Sequence, residues 1–521
     1  MKFEGFIGGS YESEASTADQ EQTINWYPEV LESPGATAKR ALYPTPGLTV
    51  LNNTAVTGKA RAHWVRPCQT NTCMDSASHP ERMPPRWTDG REFIIIGNTL
   101  YEVNSDDELI EYTAVSGGPD NAFTGSVNPS TSNEPATICG PGTVLFDCFI
   151  TSHNHAYYFG SSSVYVNHIA DLAGKATMGG YLDGYFLSLD SDNNTFYISN
   201  LGRADVWTTG TDFASRSLAP DPWRALKVFG RYVWLFGTET TELWQDTGER
   251  FPFAPIPSAL INYGIAARWS AAIVDNGMTW LAKDPSGRLC VCRAEGLNIR
   301  VISTHALELA ISGYSDFASA FAESYSDRGH TFYVLTFEDS NITWVWDSKT
   351  NLWHQRGTWN EVTGSWTSWR PRYHAFAFGE HRILDSGAGQ AVGAGNPSSL
   401  YRMGSDLYED IDGGAIRRVR RAPALMAENK RVFYSDFELD LEPGLGTSGQ
   451  GEDPQVMMRM SDDGGKTWGI ERMRSAGKTG EYGTRVRWNR LGAARRRVYE
   501  VSVSDPIPWR LTGAYLNANG S

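Results

Sequence analysis

The chain has 521 residues, of which 40% are hydrophobic and 12% aromatic, with 52 glycines and a formal net charge of −14. This supply of buryable aromatic surface excludes a disordered tail, and the lack of a Gly-X-Y repeat or long heptad segments excludes collagen and coiled coils. The acidic balance argues against a general DNA-binding protein, because such proteins neutralise phosphates with cations. The length predicts two to four domains.

The charge is divided unevenly along the chain. Residues 411–521 carry 18 basic and 14 acidic side chains, a net charge of +4, whereas the first 410 residues carry a net charge of −18. Regions of opposite charge within one chain predict two faces with different partners.

The N-terminal residues MKFEGFIGGSYESEAS include the acidic Glu4 and lack the apolar stretch of a signal peptide. The longest apolar run, at residues 93–96, is far too short to cross a bilayer. We therefore expect a protein that is made in a cytoplasm and stays or assembles there. In that reducing compartment the six cysteines are predicted to be thiols: Cys68, Cys73, Cys139, Cys148, Cys290 and Cys292.

One group of metal-binding residue types could be taken for a zinc site: Cys68, Cys73, His63 and His79. Their spacing fits no standard zinc ligand pattern, so a plain loop is the preferred interpretation. Residues 66–91 are polar, rich in proline and without periodicity. They predict a long surface loop that is suited to contacts with partners.

The middle of the sequence repeats a glycine or turn residue, an aromatic-rich strand, a polar turn and a second strand. Successive repeats start 46, 47, 52 and 44 residues apart, at Gly184, Gly230, Gly277, Gly329 and Tyr373. Two earlier repeats start at Phe93 and Ala156. A period of 40–50 residues built from short strands is typical of one β-propeller blade. We predict an all-β fold with a propeller of six or seven blades over residues 51–410; stacked β-sandwiches are the alternative.

The repeat at Gly329 shows the pattern most clearly, because residues 332–337 and 343–346 are apolar on both faces. A sheet that packs between two others requires this composition. Residues 305–324 interrupt the repeats, and Leu307, Ala310 and Ile311 have helical spacing. We predict a helix over residues 305–324, inserted between blades.

After residue 410 the sequence becomes basic, beginning with IRRVRRAP at Ile416, and continues as alternating strands. We predict a second all-β domain over residues 411–521, either a sandwich or a barrel. Alternate arginines on one of its strands would line a single face, which could bind nucleic acid or pair with carboxylates of a partner subunit. The predicted interface residues are Arg485, Arg487, Trp488, Arg495, Arg496 and Arg497.

One local motif suggests carbohydrate chemistry, because it matches the Ser-x-Asp-x-Gly-x-Thr-Trp "Asp-box" of sialidase propellers. Its residues are Ser461, Asp463, Gly465, Thr467 and Trp468. The motif occurs once and outside the repeats, so we interpret it as a folding device in which Asp463 satisfies turn amides. Glycoside hydrolysis needs two opposed carboxylates, whereas the acidic clusters at residues 106–108 and 409–410 are interpreted as solvated turns.

Other catalytic patterns, such as a nucleophile elbow, a zincin helix or a phosphate loop, do not occur in the sequence. His153 and His155 form a candidate metal pair, but without further ligands a blade turn is the preferred interpretation. We therefore predict a protein that is not an enzyme, with no catalytic residues, no cofactor and no metal. The alternative function is a propeller glycosidase or a glycan-binding protein that acts on bacterial surface polysaccharide.

Both ends of the chain resemble one known family. The N-terminal residues are Asn25-Trp-Tyr-Pro28-Glu, Ala38-Lys-Arg and Pro44-Thr-Pro46-Gly47-Leu. The C-terminal residues run from Ser461 through RVRWNRLGAARRRVYEVSVSDPIP to LTGAYL. They resemble the tail-hub proteins of short-tailed phages, the packaged-DNA stabilisation or tail nozzle family. The resemblance covers roughly the first 50 and the last 65 residues.

The resemblance implies a virion tail protein, assembled in the host cytoplasm without membrane insertion, that forms a six-fold ring beneath the portal and its adaptor. Such a ring extends the DNA channel, retains the packaged genome and carries tail fibres or spikes. Double-stranded DNA would pass through it without sequence-specific binding. The resemblance also implies that residues 1–50 form an arm that packs on the C-terminal domain as one platform, and it supplies no catalytic residues.

Overall fold

A computed structural model describes residues 2–15, 19–32, 38–51, 56–67, 88–97, 99–103, 107–114, 134–141, 148–159, 165–215, 218–385, 397–426 and 430–520. Within these ranges the chain is nearly all β-structure, and no helix there is long and apolar enough to span a membrane. The first strands are β1 (Tyr11–Glu12), β2 (Gln20–Ile24), β3 (Trp26–Val30), β4 (Arg40–Pro44), β5 (Gly47–Val50) and β6 (Val56–Thr57).

Seven sheets of mainly antiparallel strands follow one another along the described part of the middle of the chain. The first sheet contains β7 (Ala60–Pro67), β8 (Thr88–Ile96), β9 (Thr99–Val103) and β10 (Leu109–Glu111). The second contains β11 (Thr113–Ala114), β12 (Thr137–Cys139), β13 (Cys148–Ser152), β14 (His155–Phe159) and β15 (Tyr165–His168). The third contains β16 (Met178–Leu182), β17 (Tyr185–Asp190), β18 (Thr195–Ile198) and β19 (Phe213–Ser215). The fourth sheet contains β20 (Trp223–Phe229), β21 (Tyr232–Gly237), β22 (Thr241–Asp246) and β23 (Phe253–Pro255). The fifth contains β24 (Gly264–Ile265), β25 (Ala272–Val274), β26 (Gly277–Lys283), β27 (Leu289–Glu295) and β28 (Asn298–Val301).

The sixth sheet contains β29 (Phe321–Asp327), β30 (His330–Phe337), β31 (Ile342–Asp347) and β32 (Leu352–Asn360), with β33 (Ser365–Ser368) paired to β32. The seventh contains β34 (Pro371–Ala377), β35 (Glu380–Asp385) and β37 (Leu400–Gly404), while the short β36 (Pro397–Ser398) pairs with β6. Within the described ranges, 3-10 helices lie at Ala170–Leu172, Pro257–Ala259 and Ile411–Gly413.

The seven sheets close into a ring. Neighbouring sheets contact each other mostly through their innermost strands, the fourth and fifth sheets through β21 and β24, and β34 of the seventh sheet contacts β7 of the first. Apolar clusters fill the spaces between neighbouring sheets, including the space between the seventh and the first. The predicted all-β propeller of six or seven blades is therefore confirmed, with seven blades in the described residues.

The seventh blade is completed by a strand from the N-terminal part of the chain. Its strand order is β34-β35-β37-β5, and Val50 lies opposite Tyr401. The N-terminal arm was predicted to pack on the platform over residues 1–50, but its last strand belongs to the propeller instead. The pairing hides the backbone groups of an edge strand and joins the two ends of the propeller.

Buried charges join the first and seventh blades. Arg382 of β35 binds Glu92 of β8 at 2.8 Å and Asp107 at 2.7 Å. Glu92 also accepts a 2.5 Å hydrogen bond from His63, whose other ring nitrogen contacts the Tyr373 carbonyl. Asp107 was interpreted as a solvated turn residue, and this is wrong because it is a partner of the largely buried Arg382.

The predicted helix is shorter than expected. It occupies α1 (His305–Ser312), where the Thr304 hydroxyl accepts a hydrogen bond from the Leu307 amide, and Gly313 ends it. The rest of the predicted range, up to residue 324, contains a turn and the start of β29, because strand pairing with β30 overrides the helical spacing. The predicted loop at 66–91 is also shorter, since β7 reaches Pro67 and β8 begins at Thr88.

The C-terminal strands form a β-sandwich together with the arm. They are β38 (Arg418–Arg421), β39 (Leu425–Met426), β40 (Val432–Leu441), β41 (Gln455–Ser461), β42 (Arg472–Ser475), β43 (Val486–Ala494), β44 (Arg496–Val503) and β45 (Leu511–Gly520). One layer has the order β3-β4-β45-β40-β43 and the other β2-β38-β44-β41-β42. Buried Trp26, Leu42, Phe437 and Tyr499 belong to the core between the layers. The predicted C-terminal β-sandwich is therefore confirmed, and strands β2, β3 and β4 of the arm contribute to its layers.

Strand β2 joins the propeller to the sandwich. Ile24 pairs with Gln355 of the sixth blade on one side and with Val419 of β38 on the other, so one twelve-stranded sheet runs through both domains. Asn25 follows with a φ of 57°, a left-handed conformation that asparagine tolerates. Its side-chain amide donates 2.8 Å hydrogen bonds to the carbonyls of Gly357 and Arg417. The arm thus holds the two domains together through backbone and side-chain hydrogen bonds.

A buried arginine of β38 holds the start of the arm in place. All three guanidinium nitrogens of Arg420 donate hydrogen bonds, and its side chain is fully buried. The acceptors are the carbonyls of Phe6 at 2.6 Å, Gly9 at 2.9 Å and Gly5 at 3.0 Å, the Thr23 hydroxyl at 2.9 Å and the Glu21 carboxylate at 3.1 Å. Arg420 therefore helps to fix the residues that precede β1, together with backbone hydrogen bonds from Phe3 to Ala514 and from Ser10 to Trp353.

A histidine between two carboxylates gives the arm a pH-dependent attachment. His330 contacts Asp347 at 2.8 Å and Glu29 of the arm at 2.6 Å. Burial lowers the pKa of His330, but hydrogen bonds and charges from Asp347 and Glu29 outweigh burial and raise the pKa above its ordinary value.

Because the folded state holds this proton more tightly, the stabilisation is fully present below the unfolded pKa of about 6.5 and is lost as pH rises through the raised folded pKa. We expect the thermal midpoint to fall as pH rises from about 6 to 9, and the His330→Gln variant to lose that part of the dependence. Calorimetry of both proteins across the range measures it, and equal slopes would contradict the proposed charge on His330.

Candidate functional site

The predicted interface residues lie on and beside one hairpin of the sandwich. Strands β43 and β44 run antiparallel, and Arg495 occupies the turn between them. Val486 and Trp488 point into the core, whereas Arg485 and Arg487 point outward, as the alternation predicted. The structure divides the six residues into three environments.

Two of the predicted interface residues are internal, so their prediction as contact residues is wrong. Trp488 is 0% exposed, its ring stacks on Phe437 with centroids 5.8 Å apart, and its indole donates to the Arg472 carbonyl. Arg497 is 2% exposed and donates to both carboxylate oxygens of Asp462, at 2.6 and 2.8 Å. Neither side chain can contact a neighbouring subunit, because both stabilise the sandwich itself.

Removing the buried indole should destabilise the sandwich strongly. We expect Trp488→Ala to lower the free energy of unfolding by about 3–5 kcal/mol, the usual cost of truncating a buried aromatic ring. Arg495→Ala, on the exposed turn of the same hairpin, should change it by less than about 0.5 kcal/mol. Chemical denaturation followed by tryptophan fluorescence and circular dichroism compares the two; similar midpoints would refute this assignment.

Two further arginines are compensated on the outer face of the sandwich. Arg485 pairs with Glu438 at 2.5 Å, and Arg487 pairs with Asp436 at 2.7 Å. Both acidic residues belong to β40, the neighbouring strand of the same sheet. Exposed cross-strand pairs of this kind contribute little to stability, and they reduce the positive charge offered to a partner.

The remaining positive charge gathers at one end of the sandwich, which we call the basic end: Arg490, Arg495, Arg496, Met426 and Phe433. Met426 is 56% exposed and Phe433 54% exposed, and both strands bearing them pair with this hairpin. Across the residues that the structure describes, no carboxylate lies within ion-pair distance of Arg490, Arg495 or Arg496. Arg490 and Arg495 are exposed and Arg496 is half-buried. Guanidinium groups beside exposed apolar side chains suit a partner surface that is acidic and partly apolar.

The Asp-box residues form a rigid turn between β41 and β42. The Ser461 hydroxyl donates to Asp463 at 2.6 Å, and the amides of Lys466 and Thr467 donate to the same carboxylate at 2.9 Å. Hydrogen bonds from Ser461 and Thr467 hold the pKa of Asp463 well below its usual range. The carboxylate is therefore engaged in satisfying its own turn.

The ring of Trp468 ends this turn between two guanidinium groups. Arg421 lies 5.0 Å and Arg459 4.7 Å from the ring centroid, and both arginines also bind Glu500. This arrangement attaches the turn to the outer face of β44. It gives the motif a role in packing, consistent with its position outside the propeller.

Sequence reasoning missed two buried charged residues near the junction of the domains. Asp410 was interpreted as a solvated turn residue, but it is only 7% exposed, and burial raises its pKa to about 6. Arg418 is fully buried, and burial lowers its pKa to about 10. Arg418 and Arg420 are two residues apart, so their side chains lie on the same face of β38. This spacing within IRRVRR is the sequence signal that could have indicated that the two arginines share a buried face.

The candidate metal residues do not assemble into a site in the described ranges, which hold no cluster of three potential ligands. His153 and Asn154 have positive φ values and form the turn between β13 and β14. His63 contributes to the charged network between blades, whereas Cys68, Cys73 and His79 lie outside the described residues. Cys139, Cys290 and Cys292 are free thiols, and Cys148 is buried.

Comparison with known families identifies both domains. Residues 80–394 match the family model described as "Bacteriophage P22 Gp10, beta-propeller", and residues 417–519 match the model "Bacteriophage P22 Gp10, beta-sandwich". A search of curated proteins found no match.

Solved structures give only distant likeness. The N-terminal domain of Nup159 is 10% identical with a TM-score of 0.37, covering 74% of this chain and 99% of that one. The Neurospora crassa Pan2 WD40 domain is 9% identical with a TM-score of 0.37, covering 68% and 95%. An exo-beta-1,3-galactanase from Phanerochaete chrysosporium is 10% identical with a TM-score of 0.27, covering 90% and 100%.

Proposed function

The chain belongs to the family of bacteriophage P22 Gp10, structural phage proteins of the packaged-DNA stabilisation or tail nozzle type, and from this we propose a specific role in the virion. The protein is a tail nozzle that assembles as a hexameric ring below the portal and its adaptor. The ring extends the channel for DNA ejection, helps to retain the packaged genome and docks tail fibres or spikes.

The observation that carries this proposal is the match of both domains, propeller and sandwich, in the order in which this chain contains them. The continuous sheet through β2 supports a role in transmitting mechanical force between the two domains, because it links the propeller to the platform by hydrogen bonds instead of a loose linker. A fibre attached to the propeller would then be held firmly relative to the ring.

The charge distribution supports passage of DNA without tight binding. The first 410 residues carry a net charge of −18, and an acidic channel wall offers few cations to phosphates. The basic end of the sandwich is the part of the proposed platform that suits acidic protein surfaces. The Asp-box, which suggested a glycosidase, packs a turn of the sandwich and does not favour that alternative.

Mass measurement tests the ring directly. We expect the purified 57.6-kDa chain to form a species of six copies, either alone or after addition of the purified portal–adaptor complex. Mass photometry at several salt concentrations would detect it. A chain that stays monomeric with and without the complex, and that binds or cleaves a bacterial polysaccharide, would overturn the proposal in favour of the glycan-directed alternative.

A further inference from the structure

The start of the arm and helix α1 enclose a cavity of about 150 Å³, which we call the arm cavity. Its walls include the apolar side chains of Leu307 and Ala310 from α1 and the ring of Trp344 from β31. Its polar lining includes the Glu12 carboxylate of β1 and the Gln355 amide of β32. A neighbouring depression of about 240 Å³ shares part of the lining, so the cavity opens onto a longer groove along the arm.

In the described part of the chain no cationic group lies within ion-pair distance of the Glu12 carboxylate. Its carboxylate accepts a 3.3 Å hydrogen bond from Gln355, and burial raises its pKa although Arg421 attracts the charged form. An ionised carboxylate that is partly removed from water is costly unless a cation pairs with it. The cavity therefore favours a ligand that brings a positive charge to Glu12.

The shape of the arm cavity favours a long side chain. An engineered cavity of similar volume admits benzene, so a volume of 150 Å³ is ample for an aliphatic stem. Arginine and lysine pack their methylene stems on apolar surface while their charged ends reach a polar group. Leu307, Ala310 and Trp344 provide the apolar wall, and Glu12 provides the acceptor.

We propose that an arginine from the basic end of a second copy of this chain, Arg495 or Arg496, enters the arm cavity and pairs with Glu12. Charge complementarity identifies the second copy. In the described residues no carboxylate lies within ion-pair distance of the exposed Arg495 or the half-buried Arg496, and no cation lies within that distance of the cavity carboxylate of Glu12. This inference rests on the proposed ring. A closed ring requires one surface of each subunit to bind a different surface of the next, and these two surfaces meet that requirement.

Charge reversal provides the test, using the full-length chain. Glu12→Arg alone and Arg495→Glu/Arg496→Glu alone should each raise the concentration required for half-assembly by at least about 30-fold, the cost of breaking a desolvated charge pair. Glu14→Arg is the matched control, because Glu14 is exposed, follows β1 and does not line the cavity. It should assemble like the original protein.

An equimolar mixture of the two defective variants should assemble again. In a ring in which the two variants alternate, the cavity with Arg at position 12 meets the hairpin with glutamates, and the cavity with Glu12 meets the hairpin with arginines. Every contact then joins opposite charges, and a ring of six has an even number of positions, so that the variants can alternate around it. Restored assembly of folded variants with unchanged thermal midpoints supports the contact. If Glu12→Arg assembles at the same concentration as the original protein, or if the mixture does not assemble, the proposed contact between the basic end and the arm cavity is refuted. Neither result refutes the proposed ring itself. An original chain that never assembles would instead refute the proposed function.

Discussion

Replacing Arg382 with methionine should lower the free energy of unfolding of the propeller by about 3–5 kcal/mol. Arg382 is 4% exposed and binds Glu92 and Asp107, so one guanidinium group neutralises the buried acidic side chains at the junction of the first and seventh blades, beside the apolar cluster that fills the same junction. Methionine fills similar volume but leaves the fully buried Glu92 carboxylate without its guanidinium partner, with the ring of His63 still in hydrogen-bond contact. An uncompensated buried carboxylate is costly, and the ring should open at this junction.

Arg402→Met is the matched control for this experiment. Arg402 also belongs to the seventh blade and pairs with Asp406 at 2.9 Å, but both side chains are substantially exposed. An exposed pair contributes less than about 1 kcal/mol. Urea denaturation with hydrogen exchange at β7 and β34 separates the two variants. Equal losses of stability would contradict the view that the ring closes through buried charges.

Replacing Arg420 with methionine should detach the start of the arm and lower the free energy of unfolding of the sandwich by about 3–5 kcal/mol. The change leaves four neutral acceptors and the Glu21 carboxylate without their donor. We expect much faster hydrogen exchange at residues 5–12 and in β2. Because β2 pairs with β32 and β38, the contact between the propeller and the sandwich should loosen as well.

Arg510→Met is the control for the arm. Arg510 donates to Glu442 at 2.7 Å on the surface of the sandwich, and both side chains are more than 40% exposed. It should change stability by less than about 1 kcal/mol and leave the arm protected. Limited proteolysis of the two variants gives a second measure. Retention of a protected arm in Arg420→Met would show that backbone pairing alone holds it.

The propeller could be predicted because its blades repeat at nearly constant spacing and each strand is apolar on both faces. Strand β30 illustrates this, with seven of its eight residues buried. The pairing of β5 with β37 could not be predicted, because the sequence GLTV contains no pattern that indicates its partner strand. That pairing depends on the three-dimensional approach of chain segments about 350 residues apart in sequence. The helix was overestimated because the helical spacing of Leu307, Ala310 and Ile311 was extended to residue 324, beyond the helix end at Gly313 and into strand β29.

Strand alternation correctly predicts which side chains of the hairpin point inward, but it was not applied to Trp488 and Arg497 when the interface residues were chosen. The alternation that points Val486 inward points Trp488 inward too, and the period of two that buries Tyr499 also buries Arg497. Arginine is seldom buried, so charge alone suggested a surface. The partners Asp462 and Asp436 come from other strands and turns, and spacing within one strand does not indicate them.

The most direct test of the account is electron microscopy of the phage particle that carries this chain, at a resolution that shows strands. The account predicts six copies around the tail channel below the portal and adaptor, each with a seven-bladed propeller joined to a sandwich through the arm. It also predicts contact between the basic end of one copy and the arm cavity of the next. Absence of the chain from the tail, or its presence there as separate monomers that do not surround the channel, would contradict the account.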